Sequence, residues 1–463
     1  MCEKRFHLPG HCTGYIHKAT QSDQCRSTLA FPAHPPYDFF MAAQPEQLKI
    51  LSFEEARAVV EEHASGLRPK GRELISLLDA AGRVLAETIH ADRDLPPFPR
   101  ATRDGYAIRA ADLVTIPADL KIVGEVRAGG PALTGSVAPG QAVAIMTGAP
   151  VPAGADSVVM IEHTSRNASL LNVSRSLVRG ENIVPAGAEA KRGEKLLSPG
   201  VRIGYPEIAL AASVGRTRVL VSARPRAAVL STGDEIVDID VLPQPTQIRN
   251  SNSYSLAAQI NATGGDPILL PIAPDEPKRL RELLLEGLDS DLLLITGGVS
   301  MGKYDLVEQI LAELDAEFFF TGAQIQPGKP VVFGRIPSGA GALDRETECS
   351  EHKYFFGLPG NPISTMVTFE LFAKPAVEAL AGLTPQNLSF THAKLKSEIH
   401  TKTGLKRFLP ALLSGEFEHS EVELVRWQGS GDIASVARAN CFLVVPPDRN
   451  HIEAGEWVPV LLR

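Results

Sequence analysis

The sequence has no long apolar run, few cysteines and no excess of basic residues. None of its 463 residues belongs to a stretch near the roughly eighteen apolar residues that a membrane helix requires, so we expect no membrane partner. Lys4 and Arg5 are not followed by an apolar segment, so no signal peptide is predicted and we expect a cytoplasmic protein. The formal net charge of -8 disfavours nucleic acid as a partner. It still allows a small anion site built from a few Lys, Arg and backbone N–H groups.

The five cysteines are odd in number and sparse, which argues against a disulfide framework. Three of them lie near the N-terminus with four histidines: Cys2, Cys12, Cys25, His7, His11, His17 and His34. One interpretation is a zinc site, but the segment has no Cys-x-x-Cys pair. The other is a disordered or untranslated leader, because regular patterning begins only near Leu48. We therefore assign residues 1–47 to an N-terminal extension that is disordered.

The composition is that of an ordinary globular protein, with 44% hydrophobic and 22% charged residues. The length suits three or four domains of roughly 100–150 residues each. Changes in texture along the chain predict a helical linker domain, an inserted β domain, an α/β domain and a C-terminal β domain. Their predicted bounds are 48–94 with 184–222, 95–183, 223–385 and 386–463.

The helical linker domain is predicted from two amphipathic segments. Ser52 and Glu55 form a capping-box pattern ahead of apolar residues at helical spacing. A second helix is expected around Ser76–Leu85. The inserted domain, with short alternating stretches between Gly- and Pro-rich turns, is expected to be antiparallel.

From Arg226 onward, near-continuous apolar strands alternate with helices, which predicts a parallel sheet covered on both faces. Ligands of such sheets bind beyond the carboxyl ends of the strands. Four loops are expected there: "STGDEIV", "TGGVSMGKYD", "QPGKP" and "GLPGNPIS". The segment "IPSGAGALDRETECSEH" between two of the strands is predicted to be a polar surface loop.

These loops combine groups suited to phosphate and to a divalent cation. Glycines let the backbone approach a ligand, and helix N-termini offer free N–H groups, so with Lys329 they could seat a phosphate and a second small dianion. Carboxylates instead suit Mg²⁺, and the candidates are Asp234, Glu235 and Asp305. Each loop could also be only a tight turn or a helix cap. In the inserted domain, Asp104–Gly105 fits a hairpin turn and Thr147 fits another turn.

Eight motifs together resemble the molybdopterin molybdenumtransferase (MoeA) family, which includes the gephyrin E-domain. They occur in family order from about Leu48 to the C-terminus: "RDGYAIR", "IMTGAPVPAGADSVVMIE", "STGDEIV", "IRNSNSYSL", "TGGVSMGKYDLV", "QPGKPVVFG", "GLPGNPIS" and "SVARANCFLVVP". The resemblance implies an α/β plus β multidomain fold, with a central molybdopterin-binding-type domain and a C-terminal β-barrel-like domain. It also implies a homodimer whose cleft lies between the α/β domain of one subunit and the inserted domain of the other.

The implied reaction joins molybdate to adenylylated molybdopterin, with Mg²⁺ as the cofactor, and yields molybdenum cofactor and AMP. On this basis the catalytic candidates are Asp104, Thr147, Glu235, Asp305 and Lys329. Mg²⁺ would be held by Asp234, Glu235 and Asp305. The substrate-binding candidates are Gly297, Gly298, Ser300, Gly302, Gln326, Pro330, Pro359, Gly360, Asn361, Ser364 and Arg407.

Three positions depart from the family pattern. Gln326 stands where many members carry a lysine, so it offers hydrogen bonds without charge. "ATRDGYA" replaces small apolar residues before Asp104, and "GLKRFLPA" lacks the usual Gly-Arg pair near Arg407. Two alternative functions remain: molybdopterin adenylyltransferase, whose family has a single α/β domain with "TGGTG", and a non-catalytic cofactor carrier or scaffold.

Overall fold

A computed structural model describes most of the chain beyond the N-terminal extension. The described residues are 49–131, 133–298, 306–337, 352–384 and 386–463. The predicted extension with its Cys and His cluster, and most of the predicted polar loop before His352, lie outside them. No helix within the described ranges is long and apolar enough to span a membrane.

The α/β region forms a six-stranded sheet, here called the central sheet. Its strands, in spatial order, are Asp266–Leu269, Arg226–Ser231, Leu292–Thr296, His352–Leu358, Val332–Pro337 and Glu317–Phe320. The first four are mutually parallel, which confirms the predicted parallel sheet. Val332–Pro337 is antiparallel to both neighbours, so the sheet is mixed rather than wholly parallel.

Helices cover both faces of the central sheet. They are Ser251–Thr263, Pro277–Gly287, Leu306–Glu313, Pro362–Thr368 and Lys374–Leu380, the last two joined by the π-helical turn Phe369–Ala373. Successive strand residues enter different cores: Leu294 packs into one and Leu293 into the other. This two-sided burial explains why the strands are almost wholly apolar.

The first helix, Phe53–Gly66, has the predicted capping box. The Ser52 hydroxyl accepts from the Glu55 N–H at 3.2 Å, and the Glu55 carboxylate accepts from the Ser52 N–H at 2.9 Å. Its buried face joins the core of the central sheet. The strand Ile50–Leu51 also pairs with Gly322–Ala323, so this segment is part of the α/β layer.

The expected helix at Ser76–Leu85 is absent from the structure. A 3₁₀ turn, Leu77–Asp79, stands in its place, and Gly82 has a φ of +77°. Leu77, Ala80, Val84 and Leu85 are still buried, whereas Leu78 is 86% exposed. A left-handed residue cannot continue an α-helix. The remaining linker elements are the strand pairs Arg72–Ser76 with Arg218–Ser222 and Ile89–His90 with Lys195–Leu197, and the helix Tyr205–Ser213.

The inserted region forms a second six-stranded sheet, here called the inserted sheet. Its order is Ser157–Met160, Gly105–Ile108, Gln141–Ile145, Ala118–Val126, Leu170–Val173 and Thr164–Asn167. The pair Ala118–Val126 with Gln141–Ile145 is parallel, contrary to the wholly antiparallel prediction. In a parallel pair the chain must return to the same end of the sheet between the two strands. The short strand Arg100–Ala101 pairs with Ile183–Val184.

The C-terminal region closes into a five-stranded barrel, confirming the predicted barrel-like domain. Its strands, around the barrel, are Lys406–Ser414, Glu421–Leu424, Phe390–Leu395, Trp457–Leu462 and Cys441–Val445. Ile325–Gln326 extends this sheet from the α/β region. The C-terminal region also contains the helix Ile433–Arg438, the strand pair Ile399–His400 with His451–Ile452, and the 3₁₀ turn Phe417–His419. Elsewhere, the α/β region has the strand pair Ile236–Val237 with Ile248–Arg249. The inserted region has the 3₁₀ turns Ala110–Leu113 and Ile161–His163.

Candidate functional site

The central sheet reverses its strand order between Arg226–Ser231 and Leu292–Thr296. From the first of these strands the chain moves outward to Asp266–Leu269, then crosses to the other side. At such a reversal the loops after the two strands run in opposite directions. A crevice therefore opens between them at the carboxyl edge of the sheet. Because Val332–Pro337 is antiparallel, it starts at this edge, which brings the preceding loop with Lys329 to the same end of the sheet.

Two glycines bring the first loops of this edge into close contact. Gly297 has a φ of +87° and Gly298 one of +62°. A Cβ on Gly297 would lie 2.5 Å from the Thr232 carbonyl oxygen, and one on Gly298 would lie 2.7 Å from Thr232 Oγ1. Thr232 Oγ1 is buried without a hydrogen-bond partner among the described residues. The predicted candidates Ser300, Gly302 and Asp305 lie outside the described residues.

Asn252, which we had not singled out, connects the glycine loop to the segment Pro359–Asn361. Its Nδ2 donates to Thr296 Oγ1 at 2.9 Å and to the Gly360 carbonyl at 2.7 Å. Its Oδ1 is buried and unpartnered within the described ranges. A Cβ on Gly360 would lie 3.5 Å from Gly297 Cα, so Pro359, Gly360 and Asn361 border the glycine loop. Pro362 begins the following helix, as predicted.

Three carboxylates gather at the other side of the reversal. Asp234 and Glu235 are exposed, and Asp234 Oδ1 accepts from the Asp275 N–H at 3.0 Å. Burial raises the pKa of the Asp275 carboxyl, and the charges of Asp234 and Glu235 raise it further. The sequence prediction missed Asp275, although its loop follows the parallel strand Asp266–Leu269 and so had to reach this edge.

The "QPGKP" loop meets the barrel at Arg407. Gln326 is the parallel register partner of Arg407, and a Cβ on Gly328 would lie 3.6 Å from the carbonyl oxygen of Ser364. Arg407 is only 6% exposed, and its Nη1 donates to the Leu405 carbonyl at 3.1 Å.

The two cations of this region, Lys329 and Arg407, have no acidic partner within the described residues. Neither Arg407 nor the exposed Lys329 forms an ion pair within the described part of the chain. Burial lowers the pKa of Arg407. We call Gln326, Lys329, Pro330, Ser364 and Arg407 the cationic group, and the charges of Lys329 and Arg407 suit an oxyanion.

Asp104 and Thr147 meet in the inserted sheet although 43 residues separate them. Asp104 Oδ1 accepts from the Thr147 N–H at 2.7 Å and from its hydroxyl at 3.0 Å. Both bonds lower the pKa of the Asp104 carboxyl, and the bond from the Thr147 backbone N–H has the larger effect. No described hydrogen bond or ion pair links the two residues to the central sheet of the same chain.

The hairpin interpretation of Asp104–Gly105 is wrong. Gly105 is not in the left-handed region, and the strand after it pairs with two distant strands. A Cβ on Gly105 would lie 1.8 Å from the Val159 carbonyl oxygen, so close strand approach is what requires glycine. Thr147 does lie at a turn, with Gly148 at a φ of +81°.

Sequence models of protein families cover nearly all of the described chain. Residues 51–215 match the MoeA N-terminal region (domain I and II), and residues 228–379 match a probable molybdopterin binding domain. Residues 392–462 match the MoeA C-terminal region (domain IV). The three matches follow the same order as the observed sheets.

Individual proteins agree with these matches. A molybdopterin molybdenumtransferase of Nostoc sp. is 33% identical over 84% of this chain and 88% of its own length. The Bacillus subtilis molybdopterin molybdenumtransferase is also 33% identical, over 84% of this chain and 89% of its own. A molybdopterin biosynthesis MoeA protein from Pyrococcus horikoshii superposes with a TM-score of 0.71 and 28% identity, covering 90% of this chain and 100% of its own.

Proposed function

Because this chain belongs to the molybdopterin molybdenumtransferase family, we propose that it transfers molybdate onto adenylylated molybdopterin and releases AMP. The chain is a transferase of molybdenum cofactor biosynthesis. The finer assignment is supported by one observation above all: the buried Arg407 has no acidic partner among the described residues, and it pairs with the loop at the edge where ligands of such sheets bind.

In this proposal the cationic group, Gln326, Lys329, Pro330, Ser364 and Arg407, binds molybdate. Arg407 supplies a positive charge that forms no ion pair among the described residues. Strand pairing holds Gln326 beside it. Lys329 adds a second positive charge from the same loop. A dianion here would relieve the desolvation that lowers the pKa of Arg407.

The reversal of strand order would seat the substrate nucleotide. Gly297 and Gly298 let their loop pack directly against Thr232, and Thr232 Oγ1 and Asn252 Oδ1 are buried polar atoms without hydrogen-bond partners among the described residues. Pro359, Gly360 and Asn361 would form its opposite wall. These groups can bind and orient a polar ring or ribose without any covalent chemistry.

The three carboxylates fit Mg²⁺, although loosely. Burial, and then the charges of Asp234 and Glu235, raise the pKa of Asp275, and a divalent cation would relieve the repulsion among the three carboxylates. Their oxygens do not form a tight three-ligand cluster, which suits an ion that usually takes one or two carboxylates and completes its shell with water and phosphate. When bound, Mg²⁺ would supply charge neutralisation at the phosphoanhydride. Asp234, Glu235 and Asp275 would position it, with Asp305 as a further candidate.

Asp104 and Thr147 would act on the substrate of a second copy of the chain. The two hydrogen bonds that Thr147 donates favour the ionised Asp104 carboxylate and fix it at an exposed turn. Within one chain, no described bond connects them to the central sheet. A homodimer whose cleft combines the two regions would give this preformed carboxylate a role.

The test is AMP release from adenylylated molybdopterin with Mg²⁺, measured with and without molybdate. We expect release to depend on molybdate and to be lost with Asp104→Ala. Consumption of ATP would instead indicate the adenylyltransferase reaction, and retention of intact nucleotide with no AMP would indicate a carrier. A mixture of Asp104→Ala and Arg407→Met chains should regain part of the activity if the cleft crosses the dimer.

A further inference from the structure

We propose that Glu398, His400 and His451 form a binding site for a divalent transition metal on the C-terminal barrel, separate from the proposed Mg²⁺ site. Within the described ranges, this is the one group of three His, Cys, Asp or Glu residues whose candidate ligand atoms all lie within 4.8 Å of one another. Nothing in the proposed reaction uses these residues.

Strand geometry places the three side chains on one face. Ile399–His400 pairs antiparallel with His451–Ile452, and His400 is directly opposite His451. Because side chains alternate along a strand, Glu398 is on the same side as His400. Ile399 and Ile452 point the other way and are buried at 4% and 2% exposure, which anchors the ligand-bearing strands in the barrel core.

The distances suit a single ion. Glu398 Oε2 is 3.3 Å from His451 Nε2 and 3.7 Å from His400 Nε2. In a tetrahedral zinc site with ligands about 2.0–2.1 Å from the ion, ligand atoms are about 3.3 Å apart. The two imidazole rings are parallel, with centroids 4.3 Å apart. Parallel rings direct their Nε2 lone pairs in parallel, so the rings must rotate about their side-chain bonds for the three ligand atoms to surround one ion.

The donor set selects the class of metal. Two imidazole nitrogens and one carboxylate oxygen favour Zn²⁺ and its transition-metal neighbours over Mg²⁺, which prefers an all-oxygen shell. Glu398 and His400 are exposed and His451 is partly exposed, so an ion could enter from solvent and keep water in its open position.

The test titrates the full chain with Zn²⁺ by calorimetry, in a buffer that does not bind metal. The variant His400→Gln/His451→Gln should bind one equivalent less than the unaltered chain. The matched control is His392→Gln, which removes an exposed histidine of the same barrel and should change nothing. Zinc bound by the N-terminal Cys and His residues is common to all three proteins and cancels in the comparison.

A second measurement uses the unaltered chain and does not depend on a variant folding correctly. Diethyl pyrocarbonate modifies accessible histidines, and peptide mass spectrometry locates the products. Zn²⁺ should slow modification of His400 and His451 but not of His392. Equal zinc stoichiometry in all three proteins, or equal protection of all three histidines, would overturn the proposal.

Discussion

The substitution Arg407→Met separates the cost of burying a charge from the use of that charge in binding an oxyanion. Arg407 is 6% exposed and has no acidic partner within the described ranges, and its one described side-chain hydrogen bond is to the Leu405 carbonyl. Burial lowers its pKa, so at neutral pH the charged form is less stable in the folded chain than in the unfolded one. Methionine fills similar space without this penalty.

We therefore expect the ligand-free variant to be more stable by about 1 kcal/mol, the lower end of the cost of burying an unsatisfied polar group. Molybdate binding should weaken in the same variant. A hydrogen bond to a charged group contributes roughly 1.5–3 kcal/mol, which corresponds to a roughly 10- to 150-fold higher molybdate concentration for half-maximal AMP release. Urea unfolding and molybdate-dependent AMP release measure the two effects.

Lys406→Met is the matched control, one residue away. Lys406 pairs with Glu54 and lies 4.7 Å from the centre of the Phe53 ring, so its charge is used within the fold. Removing it should lower stability by about 1 kcal/mol and leave molybdate dependence unchanged. Arg407 does not have this role if Arg407→Met is destabilised as Lys406→Met is. The same conclusion follows if Arg407→Met depends on molybdate as the unaltered chain does.

Three further predictions address the other parts of the site. Thr147→Val removes the hydroxyl that bonds Asp104 but keeps the backbone N–H, so the Asp104 pKa should rise toward its ordinary value in a ¹³C NMR titration; an unchanged pKa would contradict the described bonds. The raised pKa of Asp275 means that the fold loses stability as the pH rises through that pKa. Asp275→Asn removes this carboxyl, so without Mg²⁺ the thermal midpoint at neutral pH should increase. The stabilisation that Mg²⁺ gives should become smaller in the same variant. Gly105→Ala should cost about 3 kcal/mol in urea unfolding because its Cβ would meet a backbone carbonyl, whereas Gly66→Ala, with open space around it, should cost nothing.

The layers of the α/β region were predictable because their physical cause is local. A strand buried on both faces must be apolar throughout, and helices between such strands imply parallel crossovers. The direction of Val332–Pro337 was not predictable in this way, since apolarity is the same in either direction. The segment before it is short and includes the pairs of Ile50–Leu51 with Gly322–Ala323 and of Gln326 with Arg407, which only the folded chain reveals.

The local errors have a similar origin. Buried residues in Ser76–Leu85 recur at helical spacing, but Gly82 adopts a left-handed conformation that ends any helix there. Asp104–Gly105 has the letters of a hairpin turn, yet the glycine is needed for contact with Val159. In both cases a tertiary contact or a single backbone angle overrides a pattern that is reliable only on average.

The distribution of charge along the carboxyl edge restricts what the site can bind. The carboxylates follow Arg226–Ser231 and Asp266–Leu269, whereas Lys329 precedes Val332–Pro337, three strands away from Arg226–Ser231. Strands are about 4.8 Å apart, so the acidic and cationic groups are roughly 14 Å apart. One small ion cannot satisfy both. Gly297 and Gly298 follow the strand Leu292–Thr296, which lies between them. A ligand that contacts the whole edge would therefore be extended, with a phosphate end that tolerates a cation and another end that carries or receives an oxyanion.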